Sequence, residues 1–250
     1  MGRVVFIGAG PGAADLITVR GLARLRAADV VLADALIDPA LRAEAAPDAR
    51  WIDVGKRGFS ADSTGQARIN ALLVESARGA RLVARLKGGD PSLFGRLEEE
   101  LQALAEAGIG AEVVPGVSAA LAAAAITQCP LTRRGVGRSV AFSTAMTQAG
   151  ALEARRSADT EVFYMAGRQL DALGAKLAEV GWPADTPALV VSRAGWPDER
   201  VSHHRVGTLA EAVTRHAGRP TLVTVGVGAR PVDAGVDASA ATSDPVHRQE

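Results

Sequence analysis

The sequence has one cysteine, few aromatic residues and no net charge. Cys129 is the single cysteine of 250 residues, which excludes an internal disulfide and a zinc site built from several thiolates. Lysine plus arginine and aspartate plus glutamate each number 28, so no overall charge draws the chain towards nucleic acid or an anionic membrane. His203 and His204 lack partners at the spacing of metal ligands, and we therefore expect no metal site.

Long hydrophobic runs are also missing. No apolar stretch approaches the roughly 18 residues that span a bilayer, and the amino-terminal MGRVVFIGAG leads directly into a strand-like segment instead of a signal peptide. We therefore expect a cytoplasmic protein without a membrane or nucleic-acid partner.

Short β-branched runs alternate with Ala- and Leu-rich helical segments along the chain. This alternation is typical of an α/β fold with a largely parallel sheet. The predicted strands of the first half are 4–7, 30–32, 51–54, 82–86 and 112–114, and its predicted helices are 16–27, 64–77, 97–106 and 119–126. The second half has predicted strands at 139–143, 162–165, 188–192, 203–206 and 221–225, with helices near 169–180 and 209–217.

A basic, glycine-containing stretch separates the two halves. We predict an N-terminal α/β domain over residues 1–131, a linker over 132–138 and a C-terminal α/β domain over 139–230. Residues 231–250 lack periodicity and are rich in Ala, Asp, Ser and Pro, so we expect a disordered tail.

The first glycine-rich turn matches a dinucleotide-binding pattern. GAGPGA at 8–13 follows the first predicted strand and fits G-x-G-x-x-G/A, with Asp34 about twenty residues further on, where a ribose-binding carboxylate belongs. Pro11, however, has no N–H and removes one donor from the pyrophosphate cradle. The turn alone therefore leaves a dinucleotide-dependent oxidoreductase open.

Two further glycine turns follow predicted strands. They are RLKGGDPSLFGR at 85–96 and VPGVSAA at 114–120. In open α/β folds, ligands bind outside the carboxyl ends of the strands, so three such turns favour one ligand contacted from several loops. Each turn is also explained by a plain connection between a strand and a helix.

Taken together, the motifs resemble those of a known family. GAGPG, DVVLADALI, VGKRG, RLKGGDPSLFGR, VVPGVSAA, PLTRRG and FYMAG occur in the order and spacing of the tetrapyrrole (precorrin-type) methylases, over roughly residues 3–230. The resemblance implies two α/β domains, S-adenosylmethionine in the cleft between them, and a homodimer. It also implies two methyl transfers to uroporphyrinogen III, giving precorrin-2 for cobalamin or sirohaem synthesis.

The same resemblance implies roles for individual residues. Asp34 would be the proton acceptor and Lys56 the proton donor. S-adenosylmethionine carries a sulfonium and no phosphate, which accounts for a proline in the first turn. The implied cofactor contacts are Pro11, Gly88, Gly89, Asp90, Leu93, Ser118, Ala119, Met165 and Ala194.

The implied substrate has eight carboxylates, which require several cations in the cleft, with arginine favoured for bidentate pairing. The candidates are Arg57, Lys87, Arg96, Arg133, Arg134 and Arg138.

Some positions depart from the family pattern near the expected substrate cleft. Ala145-Met146 replace a glycine-histidine pair, Arg133 replaces a histidine, and Leu97-Glu98 replace two glycines. These changes leave open a methylase of a later precorrin, a paralogue with another substrate, or a non-catalytic tetrapyrrole-binding module.

Overall fold

A computed structural model describes the protein over residues 2–55, 65–145 and 152–232. This part of the chain forms two five-stranded sheets with helices packed on them, which confirms the α/β class. The strands are β1 (Arg3–Gly8), β2 (Val30–Ala33), β3 (Arg50–Asp53), β4 (Leu82–Lys87), β5 (Ala111–Val114), β6 (Val140–Thr144), β7 (Thr160–Tyr164), β8 (Pro187–Ser192), β9 (Arg200–Arg205) and β10 (Thr221–Gly226).

The first sheet is wholly parallel, in the order β3-β2-β4-β1-β5. Strand β1 is apolar on both faces: Val4 and Phe6 belong to one core cluster, Val5 and Ile7 to the other. This pattern is typical of a parallel sheet that is covered on both sides. In this order the connection from β1 runs towards the β3 edge of the sheet, and the connection from β4 runs towards the β5 edge. The loops after the neighbouring strands β1 and β4 therefore lie at the topological switch point of the sheet.

The helices are short. They are α1 (Val19–Arg26), α2 (Leu41–Glu44), α3 (Gln66–Gly79), α4 (Leu97–Glu106), α5 (Ala119–Ile126), α6 (Leu170–Glu179) and α7 (Val213–His216). Thr18 begins α1, and its hydroxyl accepts a 3.1 Å hydrogen bond from the amide of Gly21, as an N-cap residue does. None of the helices in the described ranges is long and apolar enough to cross a bilayer.

The second sheet is mixed, in the order β6-β7-β10-β8-β9. Only the β6–β7 pair is parallel; the other three pairs are antiparallel. The expectation of a largely parallel sheet is therefore right for the first sheet and wrong for the second. For the β8–β9 pair the reason is the short connection 193–199, because a parallel pair needs a crossover of a dozen or more residues.

Most predicted elements coincide with observed ones, and α4 and α5 have the predicted bounds. The segment predicted as a helix over 209–217 is divided between the end of a 3₁₀ helix, Val206–Ala212, and α7. Within the predicted linker, Arg133 and Gly137 exchange backbone hydrogen bonds of 2.8 and 2.9 Å around a tight turn. The division into domains at 132–138 stays a prediction, and residues 233–250 of the expected tail lie outside the described residues.

Candidate functional site

The three glycine turns after β1, β4 and β5 pack directly against one another. The Gly89 amide donates a 2.7 Å hydrogen bond to the carbonyl of Gly10. A Cβ on Gly8 would lie 2.5 Å from the Cα of Gly116, a distance that no side chain can occupy. Gly8 and Gly116 are therefore required for contact between two backbones, and not for the approach of a pyrophosphate as the dinucleotide pattern suggests.

The second sheet reaches the same place through the β8–β9 connection. A Cβ on Gly12 would lie 2.6 Å from the carbonyl carbon of Gly195. The indole of Trp196 donates to the carbonyl of Pro11. Gly12, at a variable position of the opening pattern, thus makes room for the second sheet, and the carbonyl of Pro11 is already bonded within the protein.

A cavity lies between these loops. All nine residues that the family resemblance assigned to the cofactor line it, although they come from five separate segments of the chain. The walls include further residues that the sequence analysis did not identify: Leu36, Phe94, Tyr164, Val191, Arg193, Trp196, Pro220, Thr221 and Leu222. Tyr164 was recognisable as the neighbour of Met165 in FYMAG, whereas Pro220, Thr221 and Leu222 carry no local signal.

Met165 and Tyr164 form one side of the cavity. Met165 has a left-handed backbone, φ 57°, and its side chain is 52% exposed, so it is not a core residue of β7. The hydroxyl of Tyr164 lies 2.5 Å from that of Ser118, and burial raises the pKa of Tyr164 despite this hydrogen bond. The phenol therefore stays protonated at neutral pH and joins the start of α5 to the second sheet.

Asp90 connects two of the glycine turns. One carboxylate oxygen accepts a 2.8 Å hydrogen bond from the amide of Ser92, and the other accepts a 2.9 Å bond from the amide of Gly116. The Asp90 carboxylate thus links the two turns, in addition to any hydrogen bond that it makes to a ligand.

A cluster of four charged residues lies beside the cavity, at the carboxyl ends of β2 and β4. Arg85 Nη2 donates to Asp34 Oδ1 at 2.7 Å and to Glu100 Oε1 at 3.1 Å, while its Nε donates to Glu100 Oε2 at 3.0 Å. Lys87 Nζ lies 3.0 Å from Glu100 Oε1 and 3.8 Å from Asp34 Oδ2. The side chains of Arg85, Lys87 and Glu100 are 1%, 4% and 1% exposed, and that of Asp34 is 28% exposed.

The opposite charges of Arg85 and Glu100 favour the ionised form of each other. Burial lowers the pKa of Arg85, but the carboxylates of Asp34 and Glu100 outweigh it and raise that pKa above its ordinary value. Burial raises the pKa of Glu100, and Arg85 and Lys87 outweigh it, so that pKa is lowered. Arg85 and Glu100 are therefore both ionised at neutral pH.

The predicted substrate-binding cations are not gathered at one surface. Lys87 belongs to the buried cluster, and Arg96 pairs with Glu99 at 2.7 Å. Arg133 donates to the carbonyl of Arg230. Arg134 and Arg138 are exposed, while Lys56 and Arg57 lie outside the described residues.

Of the positions that depart from the family pattern, Ala145 is fully buried in the core of the second sheet, and Leu97 packs against a core cluster of the first. Met146 lies outside the described residues. Within the described ranges, no group of three or more His, Cys, Asp or Glu side chains is placed to hold a metal ion.

Fold and site together define a class of protein. It is an α/β protein of two sheets, with a mainly apolar ligand cavity enclosed by the loops at the carboxyl end of a parallel sheet and by one connection of a mixed sheet.

The chain belongs to the tetrapyrrole (corrin/porphyrin) methylases, since the model of that family matches residues 3–210. A siroheme synthase 1 of Halorhodospira halophila is 42% identical over 231 residues, which are 90% of this chain and 48% of the relative. A siroheme synthase of Pseudomonas entomophila is 43% identical over 231 residues, 90% of this chain and 50% of the relative. The chain thus spans about half the length of the curated relatives it matches.

Solved structures agree with this assignment. A uroporphyrin-III C-methyltransferase of Thermus thermophilus, complexed with S-adenyl homocysteine, has a TM-score of 0.77 and 34% identity, covering 91% of this chain and 98% of its own. A cobalt precorrin-4 methyltransferase has a TM-score of 0.79 and 28% identity, covering 92% and 96%.

Proposed function

We propose that this protein transfers methyl groups from S-adenosylmethionine to carbon atoms of uroporphyrinogen III, giving precorrin-2. The observation that carries the proposal is the convergence of the nine predicted cofactor residues on one cavity. The similarity to a uroporphyrin-III C-methyltransferase of Thermus thermophilus, complexed with S-adenyl homocysteine, supports it.

The cavity wall fits a nucleoside-like cation better than a dinucleotide. Leu36, Leu93, Phe94 and Met165 supply apolar contacts. The turn around Pro11 offers no phosphate cradle, because its glycines pack on protein backbone. When bound, the cofactor supplies an electrophilic methyl group on a positively charged sulfur.

We propose that Asp34 accepts the proton that the methylated tetrapyrrole releases. A methyl cation added to a ring carbon gives the tetrapyrrole a positive charge, so the macrocycle must lose a proton from another of its atoms. A partly exposed carboxylate at the end of β2, two residues before the cavity residue Leu36, is suited to accept that proton. Arg85 holds one oxygen of Asp34, at 2.7 Å, and leaves the second without a hydrogen bond as short as this. We retain Lys56 as the proposed proton donor.

The assignment of Lys87 to substrate carboxylates is not retained. Its ammonium group is buried and paired with Glu100, so it cannot meet a rim carboxylate without breaking that pair. Arg134 and Arg138, which are exposed, remain the candidates in the second half of the chain.

We also propose a homodimer. Large apolar side chains are exposed on β5, on α5 and on β6, namely Val113, Leu121, Ile126 and Phe142. β5 and β6 are edge strands of their sheets, and a second copy of the chain would cover these side chains.

The test is an anaerobic incubation of the pure protein with uroporphyrinogen III and S-adenosylmethionine, analysed by mass spectrometry. We expect a tetrapyrrole with two added methyl groups. Asp34→Asn should lower kcat by at least about tenfold and leave the Kd for S-adenosylmethionine nearly unchanged. Asp171→Asn, at an exposed site on α6, is the control. A wild-type protein that binds the cofactor but methylates nothing would contradict the proposal.

A later precorrin is the second candidate substrate, because a cobalt precorrin-4 methyltransferase has a similar structure. The same incubation with precorrin-2 in place of uroporphyrinogen III separates the two. Methylation of precorrin-2 alone would favour the second candidate.

A further inference from the structure

We propose that Lys87 and the Arg85–Glu100 pair are positioning residues, which fix the place and the charge of the Asp34 carboxylate. The inference rests on the proposed function, in which Asp34 accepts the proton.

The cluster extends from the buried Glu100 outwards to the partly exposed Asp34. Glu100, on α4, is fully buried and binds both cations, with Gln66 of α3 donating a further 3.2 Å bond to its Oε1. Arg85 also donates a 3.0 Å bond to the carbonyl of Leu86. The guanidinium of Arg85 is thus fixed by Glu100 and by the carbonyl of Leu86, in addition to its bond to Asp34.

Lys87 is held just as tightly. A Cβ on Gly95 would lie 3.0 Å from the Cε of Lys87, so the absence of a side chain there makes room for the lysine arm. Its ammonium group bonds to Glu100 and lies 3.8 Å from Asp34 Oδ2. At that distance Lys87 acts on Asp34 through its charge, and it can approach further when Asp34 moves.

Stability alone does not account for this arrangement. Removing charges from water is energetically costly, and well-packed apolar residues often stabilise a core as well as a buried ion pair does. Three of the four members are almost fully buried, and only Asp34 reaches the surface. The cluster therefore ends at the one group that can meet a substrate.

The charge count has a consequence for the reaction. Arg85 and Lys87 balance the carboxylates of Asp34 and Glu100, so the cluster is neutral while Asp34 is ionised and gains a positive charge when Asp34 takes up a proton. A base that serves two successive methyl transfers must return to its ionised form between them.

A double-mutant cycle between Lys87 and Asp34 tests the inference. Lys87→Met removes the ammonium group and keeps most of the arm, and Glu100 retains its two bonds to Arg85. In the wild-type background we expect kcat to fall on the order of tenfold, with an unchanged Kd for S-adenosylmethionine by calorimetry. In the Asp34→Asn background, Lys87→Met should change kcat by less than about twofold, because the group that it positions is gone.

The matched control is Lys176→Met in both backgrounds. Lys176 pairs with Glu179 at 2.6 Å on the exposed face of α6, and its loss should leave kcat unchanged. Thermal unfolding of every variant shows the folded fraction, so that kcat refers to folded protein.

The outcomes separate the two proposals. A wild-type protein without methyl transfer overturns the proposed function, and this inference with it. If the wild type is active and Lys87→Met lowers kcat by the same factor in both backgrounds, Lys87 does not act through Asp34 and only the inference fails. An unchanged kcat in Lys87→Met overturns it as well.

Discussion

The indole Nε1 of Trp196 donates a 3.0 Å hydrogen bond to the carbonyl oxygen of Pro11, a residue 185 positions away in the sequence. Pro11 follows β1 of the first sheet, and Trp196 lies between β8 and β9 of the second. The guanidinium of Arg193 lies 4.2 Å from the centre of the indole ring and pairs with Asp198 at 2.7 Å. This hydrogen bond therefore joins two walls of the ligand cavity.

Trp196→Phe should weaken the binding of S-adenosylmethionine. The variant keeps an aromatic ring beneath Arg193 and loses the N–H donor, which leaves the carbonyl of Pro11 without its partner from the second sheet. Loss of one such bond is worth about 1 kcal/mol, or roughly fivefold in Kd. Isothermal titration calorimetry measures the change.

Trp182→Phe is the matched control for this prediction. Trp182 donates a 2.9 Å bond from its indole to the carbonyl of Arg155 and lies beneath Arg156, but it does not line the cavity. We expect the control to lower the free energy of unfolding without changing the Kd. Equal weakening of cofactor binding in both variants would show that Trp196 has no specific role at the cavity.

Gly8→Ala should destabilise the fold strongly. The added methyl group would lie 2.5 Å from the Cα of Gly116 and 2.8 Å from the carbonyl oxygen of Gly89, and the backbone would have to shift to admit it. Overpacking of this kind costs about 1–3 kcal/mol or more. The urea midpoint of unfolding measures the loss. Gly110→Ala, where a Cβ meets nothing within 4 Å, should leave the midpoint nearly unchanged. If the two variants unfold at the same midpoint, the close packing of the turns does not limit stability.

Stability should fall as the pH decreases from 6.5 towards 4, because of His216. Burial first, then the charges of Arg215, His204, Arg219 and Arg200, lower the pKa of His216 from 6.5 to about 4. In this window the unfolded chain binds a proton that the folded chain does not, so acidification favours unfolding.

The urea midpoint, measured across this range, should decline in the wild type and less steeply in His216→Gln. Burial also lowers the pKa of His203. The variant His203→Gln therefore measures how much this second histidine contributes to the decline of the urea midpoint. Glu100 acts in a different pH range. Its pKa is lowered in the folded chain, so protonation of this carboxyl reduces the free energy of unfolding only below pH 4.5, its ordinary pKa. Parallel declines in wild type and His216→Gln would assign the effect to other groups.

The local pattern of the sequence was sufficient for the elements that depend on short-range periodicity. Short β-branched and apolar runs predicted β1 and β4, and the spacing of Leu97, Leu101 and Leu104 predicted α4 with its observed bounds. β9 was predicted too short, because Arg200–Arg205 is mostly polar and becomes a strand only by pairing with β8. The 3₁₀ helix Val206–Ala212 was predicted only in part and as an α-helix, since Val206, Leu209 and Ala212 are spaced by three residues, which fits either kind of helix.

The sequence by itself determined the family, and through that resemblance the nine residues that line one cavity, because all of them except Ala194 lie in short motifs whose order is visible along the chain. Only the tertiary structure decided what the glycines of the opening turn face. It also decided that Lys87 is buried beside Glu100 instead of facing a substrate, and that Trp196 meets Pro11. Burial and charge pairing arise between residues far apart in sequence, and no local pattern of residue types specifies them.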